Sequence, residues 1–245
     1  MGRPDELLTH ARTALSEAAY RTGDFDGVEA LLAEALRQAE AEGGRRSEAE
    51  ALDLLGVLLH FRTIDRPRVE WPGIDPGPEQ QLFERALAIR RELGDPAGVA
   101  ESLLHLGWVH QVLRNDPGAA TPLFREALTL AEPDGDADVR SELHRHVGFH
   151  VMLEEKRPQE ALPHFRTSLE LWRSGAEPAL VVFGLVALAR CESAAGRHDY
   201  ALAHSQEALA LSREAGFRRR VVNAAESTRR VVEEAAARAG GSRAG

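Results

Sequence analysis

The chain has a single cysteine, Cys191, in 245 residues. One thiol cannot close an intrachain disulfide, so the small disulfide-stapled folds of secreted proteins are excluded. Aromatic residues are scarce, at 5% of the chain, while Ala, Leu, Glu and Arg abound. That balance suits long packed helices. Positive charge is also in deficit, with 30 Lys and Arg against 39 Asp and Glu and a net charge of −9. A nucleic-acid footprint needs clustered positive charge. The only dense basic runs, Arg218-Arg219-Arg220 and Arg229-Arg230, read as solvated helix faces. No stretch approaches the ~18 uninterrupted apolar residues of a membrane span. The segment Glu6 to Tyr20 alternates charged and apolar residues, as an amphipathic helix does, where a leader would show a basic start and an apolar run. No nucleic-acid partner, no membrane and a cytoplasmic location are therefore expected. Phosphate loops, nucleophile elbows and dinucleotide glycine motifs are missing too, so no cofactor and no catalytic residue are expected.

What is present is a recurring pair of small motifs. The first is Leu-Gly or a near equivalent: Leu15-Ser16, Leu55-Gly56, Leu106-Gly107, Val147-Gly148 and Leu188-Ala189. The second ends in Ala-Leu or Ser-Leu, at Leu36, Leu87, Leu128, Leu169 and Leu209. Each second motif is followed by the next first motif after a constant 19 residues. Within a repeat the spacing is 21, 32, 22, 22 and 21 residues, so one insertion sits in the second repeat. Self-similarity at such a period means stacked supersecondary units that share a continuous core. Each unit reads as two amphipathic helices. In the third, Asp95 is an N-cap and Pro96 opens a helix expected to run to Arg114, where Asn115-Asp116-Pro117-Gly118 breaks it. The small residue of the first motif leaves room for the second helix to approach, and Phe83, Phe124 or Phe165 fills that space. Gly43, Gly94, Gly135, Gly175 and Gly216 stand where a left-handed residue would close each second helix.

The third unit reads Leu103-x2-Leu106-Gly107-x2-His110, then Ala120-x3-Phe124-x2-Ala127. The fifth reads Leu185-x2-Leu188-Ala189, then Ala201-x3-Ser205-x2-Ala208. This pattern resembles the tetratricopeptide repeat family, in a long-helix version with units of 40 or 41 residues. The resemblance implies an all-α, right-handed α-solenoid of five helix-turn-helix repeats, over about residues 5–43, 45–94, 95–135, 136–175 and 177–216. An insertion is expected at about 62–78 and a C-terminal capping helix at about 218–238. Residues 1–239 then form one domain, and 240–245 a disordered tail. The insertion, with three prolines and two glycines within Pro72 to Pro78, reads as a loop.

In this family the ligand face is the concave side, lined by first helices. Counting the Leu of Leu-Gly as position seven, positions two, five, nine, twelve and thirteen share one helical face. Glu50, Asp53 and His60 fall there in the second repeat, and Glu101, Trp108 and Gln111 in the third. Glu142, Arg145 and Phe149 follow in the fourth, and Arg190 in the fifth. Trp108 and Phe149 share position nine and are expected side by side. An apolar floor with a charged rim suits a protein or peptide partner carrying hydrophobic anchors. The competing reading is a small-molecule site, even an enzyme, built from the same residues beneath Trp71 of the insertion as a lid. His146 and His150 lie four apart on one helix and are weak metal candidates, since no third ligand is adjacent in sequence. Cys191 is expected to be a buried, inert thiol.

Overall fold

The computed structural model describes residues 4–132, 135–175 and 177–241. Eleven α-helices, joined by short turns, make up the described residues, and no strand occurs among them. The first unit, residues 1–139, contains α1 (Pro4–Glu17), α2 (Asp26–Glu42), α3 (Arg45–Ile64), α4 (Gly77–Glu92), α5 (Pro96–Trp108) and α6 (Pro117–Ala131). The second, residues 140–245, contains most of α7 (Ala137–Leu153), then α8 (Pro158–Arg173), α9 (Pro178–Ala194), α10 (His198–Glu214) and α11 (Arg219–Gly241).

Local chemistry starts these helices where the motifs place them. Asp95 accepts from Gly98 N–H at 3.1 Å, and Asp116 accepts from Ala119 N–H at 2.9 Å. Pro96 and Pro117 follow these caps, where a missing N–H costs nothing. Gly43, Gly94 and Gly216 close second helices with left-handed φ of 70°, 62° and 64°. Gly175 does not adopt that conformation, and its N–H reaches Trp172 O at 3.4 Å.

Packing follows the alternation of small and large residues. Any Cβ at Gly56 or Gly107 would strike the ring of Phe83 or Phe124, and one at Gly148 would lie 3.0 Å from Phe165. The three phenylalanines are fully buried, as is Trp172. Gly184 plays the same part for Trp172, whose ring would stand 2.9 Å from an added Cβ. In the first unit each helix packs on its sequence neighbour, and the first helices also touch in the order α1, α3, α5. In the second, α8, α9, α10 and α11 pack in sequence. There Ser141 Oγ of α7 donates to the Ser168 carbonyl of α8 at 2.6 Å.

Three further sequence expectations change. The helix expected over 95–114 is α-helical only to Trp108 and continues as a wider π turn over Val109–Leu113. The first repeat has the same turn at the same repeat positions, Ala18–Thr22. A π turn inserts one residue into the ladder, a shift that hydrophobic spacing does not register. The insertion is not all loop: α3 extends to Ile64, and one 3-10 turn occupies Arg68–Gly73. The cap α11 runs through Gly241, and 242–245 lie outside the described residues.

α11 packs against both α9 and α10, as a first helix does. Thr228, 1% exposed, falls 19 residues beyond Leu209 and so keeps the register. Arg229 then takes the place of the small residue and pairs with Glu233 at 2.5 Å. An arginine there leaves less room for a second helix than Gly107 leaves for α6.

Cys191 is fully buried, and its thiol reaches the Pro158 carbonyl at 3.2 Å. Burial, with the charge of Glu192 beside it, pushes the thiol up to about 12, against a small opposite pull from Arg166. The folded protein is therefore expected to show no reaction with a thiol-specific disulfide reagent at pH 8, and one equivalent after denaturation. Rapid labelling of native protein would contradict this burial.

Candidate functional site

The residues expected on the first-helix face divide into those spent on internal bonds and those that reach solvent. In the first unit, Asp53 is only 1% exposed. It pairs with Arg90 of α4, which donates also to Gly98 O at 2.9 Å, Ser102 Oγ at 2.8 Å and Glu101 at 2.7 Å. Ser102 donates back to Asp53 at 3.1 Å, and His105 Nδ1 lies 3.2 Å from its other oxygen. Burial alone would lower the Arg90 pKa, but the Asp53 and Glu101 carboxylates outweigh it and the guanidinium is held more firmly protonated. Asp53 thus ties α3 to α4 and α5 from a buried position. Its helical phase was compatible with a solvent-facing and a buried side chain, and only the packing of Arg90 decides between them.

The position-two acids are also neutralised from within. Glu50 receives Arg12 of α1 at 2.9 Å, and Glu101 lies 3.6 Å from the same guanidinium. Burial disfavours the Arg12 charge, yet Glu101 and Glu50 together raise its pKa. Arg12 and Arg90 were absent from the sequence-based set.

His60 is 5% exposed, and its Nδ1 donates to Glu79 Oε1 at 2.8 Å. Trp108, half-buried, lies between two imidazoles, 5.2 Å from the ring of His60 and 4.7 Å from that of His105. Gln111 falls in the π turn and is half-buried. Trp71 is half-buried, and its indole N–H donates to Arg66 O at 3.0 Å, inside the insertion itself.

In the second unit, Arg145 Nη2 reaches Glu142 at 2.6 Å, and His146 Nε2 lies 3.2 Å from the same carboxylate. Burial would raise the Glu142 pKa, but Arg145 and His146 hold it at about 2. The folded value lies below the ordinary carboxylate range, so this contribution is complete above about pH 4.5 and is lost as pH falls toward 2. Glu142→Gln is expected to flatten the acid limb of the stability curve in that window, where one proton contributes a slope of about 1.4 kcal/mol per pH unit. Urea melts at about pH 2.5, 3.5 and 5 would check it. An unaltered acid limb would mean that Glu142 is solvated.

Phe149 is half-buried, packed edge-on against Phe165 at 5.1 Å, with the Arg145 guanidinium 5.5 Å over its ring. Leu153 is 58% exposed, and Met152 is half-buried beside it. Arg190 is exposed, with no ion pair or hydrogen bond among the described residues. The weak metal candidates separate, His146 toward Glu142 and His150 toward Glu155 at 3.2 Å. No group of three potential metal ligands forms among the described residues. His144 pairs with His164 instead, at 3.0 Å between Nδ1 atoms. No helix among the described residues is long and apolar enough to cross a membrane.

Helix pairs stacked through a glycine–phenylalanine contact, with a capping helix, define an α-solenoid. Residues 141–214 match the tetratricopeptide repeat family model. Among solved structures, the fold resembles BtubC (BKLC) from P. vanneervenii, with a TM-score of 0.55 and 21% identity over 79% of this chain and 74% of that one. It also resembles the nearly identical TPR-like repeats described for a Podosopora anserina kinesin light chain, with a TM-score of 0.51 and 14% identity over 87% of this chain and 96% of that one. A substituted form of those same repeats gives a TM-score of 0.52 and 13% identity over 88% of this chain and 98% of that one. No curated protein matches the chain.

Proposed function

We propose that this protein is an interaction scaffold that takes a peptide or partner protein along the face of its first helices, within the concave groove of the repeat array. The observation that carries this reading is the exposed apolar end of α7. Leu153 is 58% exposed beside half-buried Met152 and Phe149, on the face where the family places its ligands. Apolar side chains held at a surface by a rigid helix are what a hydrophobic anchor of a partner needs. In the first unit, half-buried Trp108 and Phe61 offer the same chemistry. The acids near them are already matched by Arg12 and Arg90, so recognition rests on apolar contact and on exposed cations such as Arg190.

The small-molecule reading loses support from its own residues. Asp53 and Glu142 are committed to internal pairs, and the Trp71 indole is bonded within its own insertion.

Photo-crosslinking tests the scaffold reading. A photoreactive residue in place of Leu153 should capture a partner, and the same probe at Arg85 or Glu126, exposed on second helices, should not. Leu153→Glu should stay folded and abolish that capture. Equal capture from both faces would sink the proposal.

A further inference from the structure

In four of the five repeats, the residue four positions before the second-helix Phe or its equivalent is small or aliphatic. Val28, Ala120, Ala161 and Ala201 stand there, all buried. In the second repeat the position is Glu79, which is 3% exposed. A carboxylate at a core position is costly unless its oxygens are bonded. Oε1 of Glu79 accepts from His60, but Oε2 is buried with no hydrogen-bond partner among the described residues. The place of Glu79 in the first turn of α4 offsets part of the charge through the helix dipole, yet leaves the missing bond unmade.

The surroundings supply the other half of a binding site. The His60 ring lies 6.5 Å from Phe61 and 5.2 Å from Trp108, and Phe61 packs edge-on against Tyr20 at 5.9 Å. His60 thus links a buried carboxylate to a row of aromatic rings, and ring faces with one charge-assisted hydrogen bond are what recognise organic cations. A metal ion is disfavoured, because no group of three ligands assembles among the described residues. The net charge of −9 draws cations to the molecule.

We propose that Glu79, His60, Phe61 and Trp108 form a site for an organic cation, presented as a Lys or Arg side chain of the partner. The ammonium or guanidinium group donates to Glu79 Oε2 and lies against the Trp108 ring. His60, fixed through Nδ1, keeps the carboxylate in place. The identity of the cation's carrier rests on the scaffold reading above; the cation site does not.

The test follows the indole resonance of Trp108, assigned by its loss in Trp108→Phe, during titration of the full chain with n-butylammonium, n-butylguanidinium and neutral n-butanol. The cations should shift it saturably and butanol should not. Glu79→Gln keeps the His60 contact but removes the charge, and should weaken binding at least about tenfold. Glu79→Ala, which installs the residue of the third, fourth and fifth repeats, should abolish binding; it also leaves buried His60 without its partner, so its melting temperature is expected to fall whether or not the site binds a cation. Equal shifts by butanol, no saturable shift by any probe, or unchanged affinity in Glu79→Gln would overturn the site. A lower melting temperature in Glu79→Gln, which keeps the His60 contact, would also overturn it and make the residue a plain core link. Lysyl and arginyl peptides should bind at least as well as the free amine, and binding of the amine alone would overturn the partner as carrier. If the crosslinking test fails while butylammonium still shifts Trp108, the scaffold reading falls and the site stands.

Discussion

Gly107→Leu is expected to destabilise the first unit strongly. Its new side chain would begin inside the ring of Phe124, which is itself 1% exposed and cannot move outward without opening the core. Overpacking of a tight site costs about 1–3 kcal/mol in ordinary cores and more where no rotamer relieves it. Here the α5–α6 contact must widen along its length, so a loss of about 3 kcal/mol or more is expected. For a chain of this size that lowers the melting temperature by roughly 6–12 °C. Gly148→Leu should cost less, because a Cβ there would sit 3.0 Å from Phe165, at the edge of what a small shift absorbs. Thermal melts of the two variants side by side are the check. Equal, small effects would mean that the glycines are not the contact points of the helix pairs.

Asp53→Ala is expected to cost about 3–5 kcal/mol, the range for removing one member of a buried ion pair. Arg90, 5% exposed, would keep its charge with Glu101 alone, and His105 and Ser102 would lose their shared acceptor. The double variant Asp53→Leu, Arg90→Met should recover only the part of that loss due to the unpaired charge, since buried His105 and Ser102 remain without an acceptor. Glu101 reaches solvent and tolerates the loss of Arg90. Urea unfolding of the two variants distinguishes the outcomes. A loss below about 1 kcal/mol in Asp53→Ala would mean that water screens the pair as it does at a surface.

The register of this protein is a local property and was legible in its residues. A constant 19-residue spacing, helix-breaking turns and a glycine facing a phenylalanine specify helix pairs wherever they recur. The Gly56–Phe83, Gly107–Phe124 and Gly148–Phe165 contacts follow directly from that spacing. Charge placement was only half legible. Helical phase put Asp53, His60 and Trp108 on one face, but phase cannot tell a residue that faces solvent from one that faces the adjacent helix. That choice depends on side chains from other elements: Arg90 buries Asp53, and Glu79 fixes His60. The π turns at Ala18–Thr22 and Val109–Leu113 were hidden for a related reason, since one extra residue in the ladder leaves the hydrophobic spacing almost unchanged. Repeat spacing alone determined which helices exist and how each pair meets. The partners of the buried acids were decided only when tertiary packing brought α3, α4 and α5 together, because the cost of burying a charge depends on what lies beside it in space.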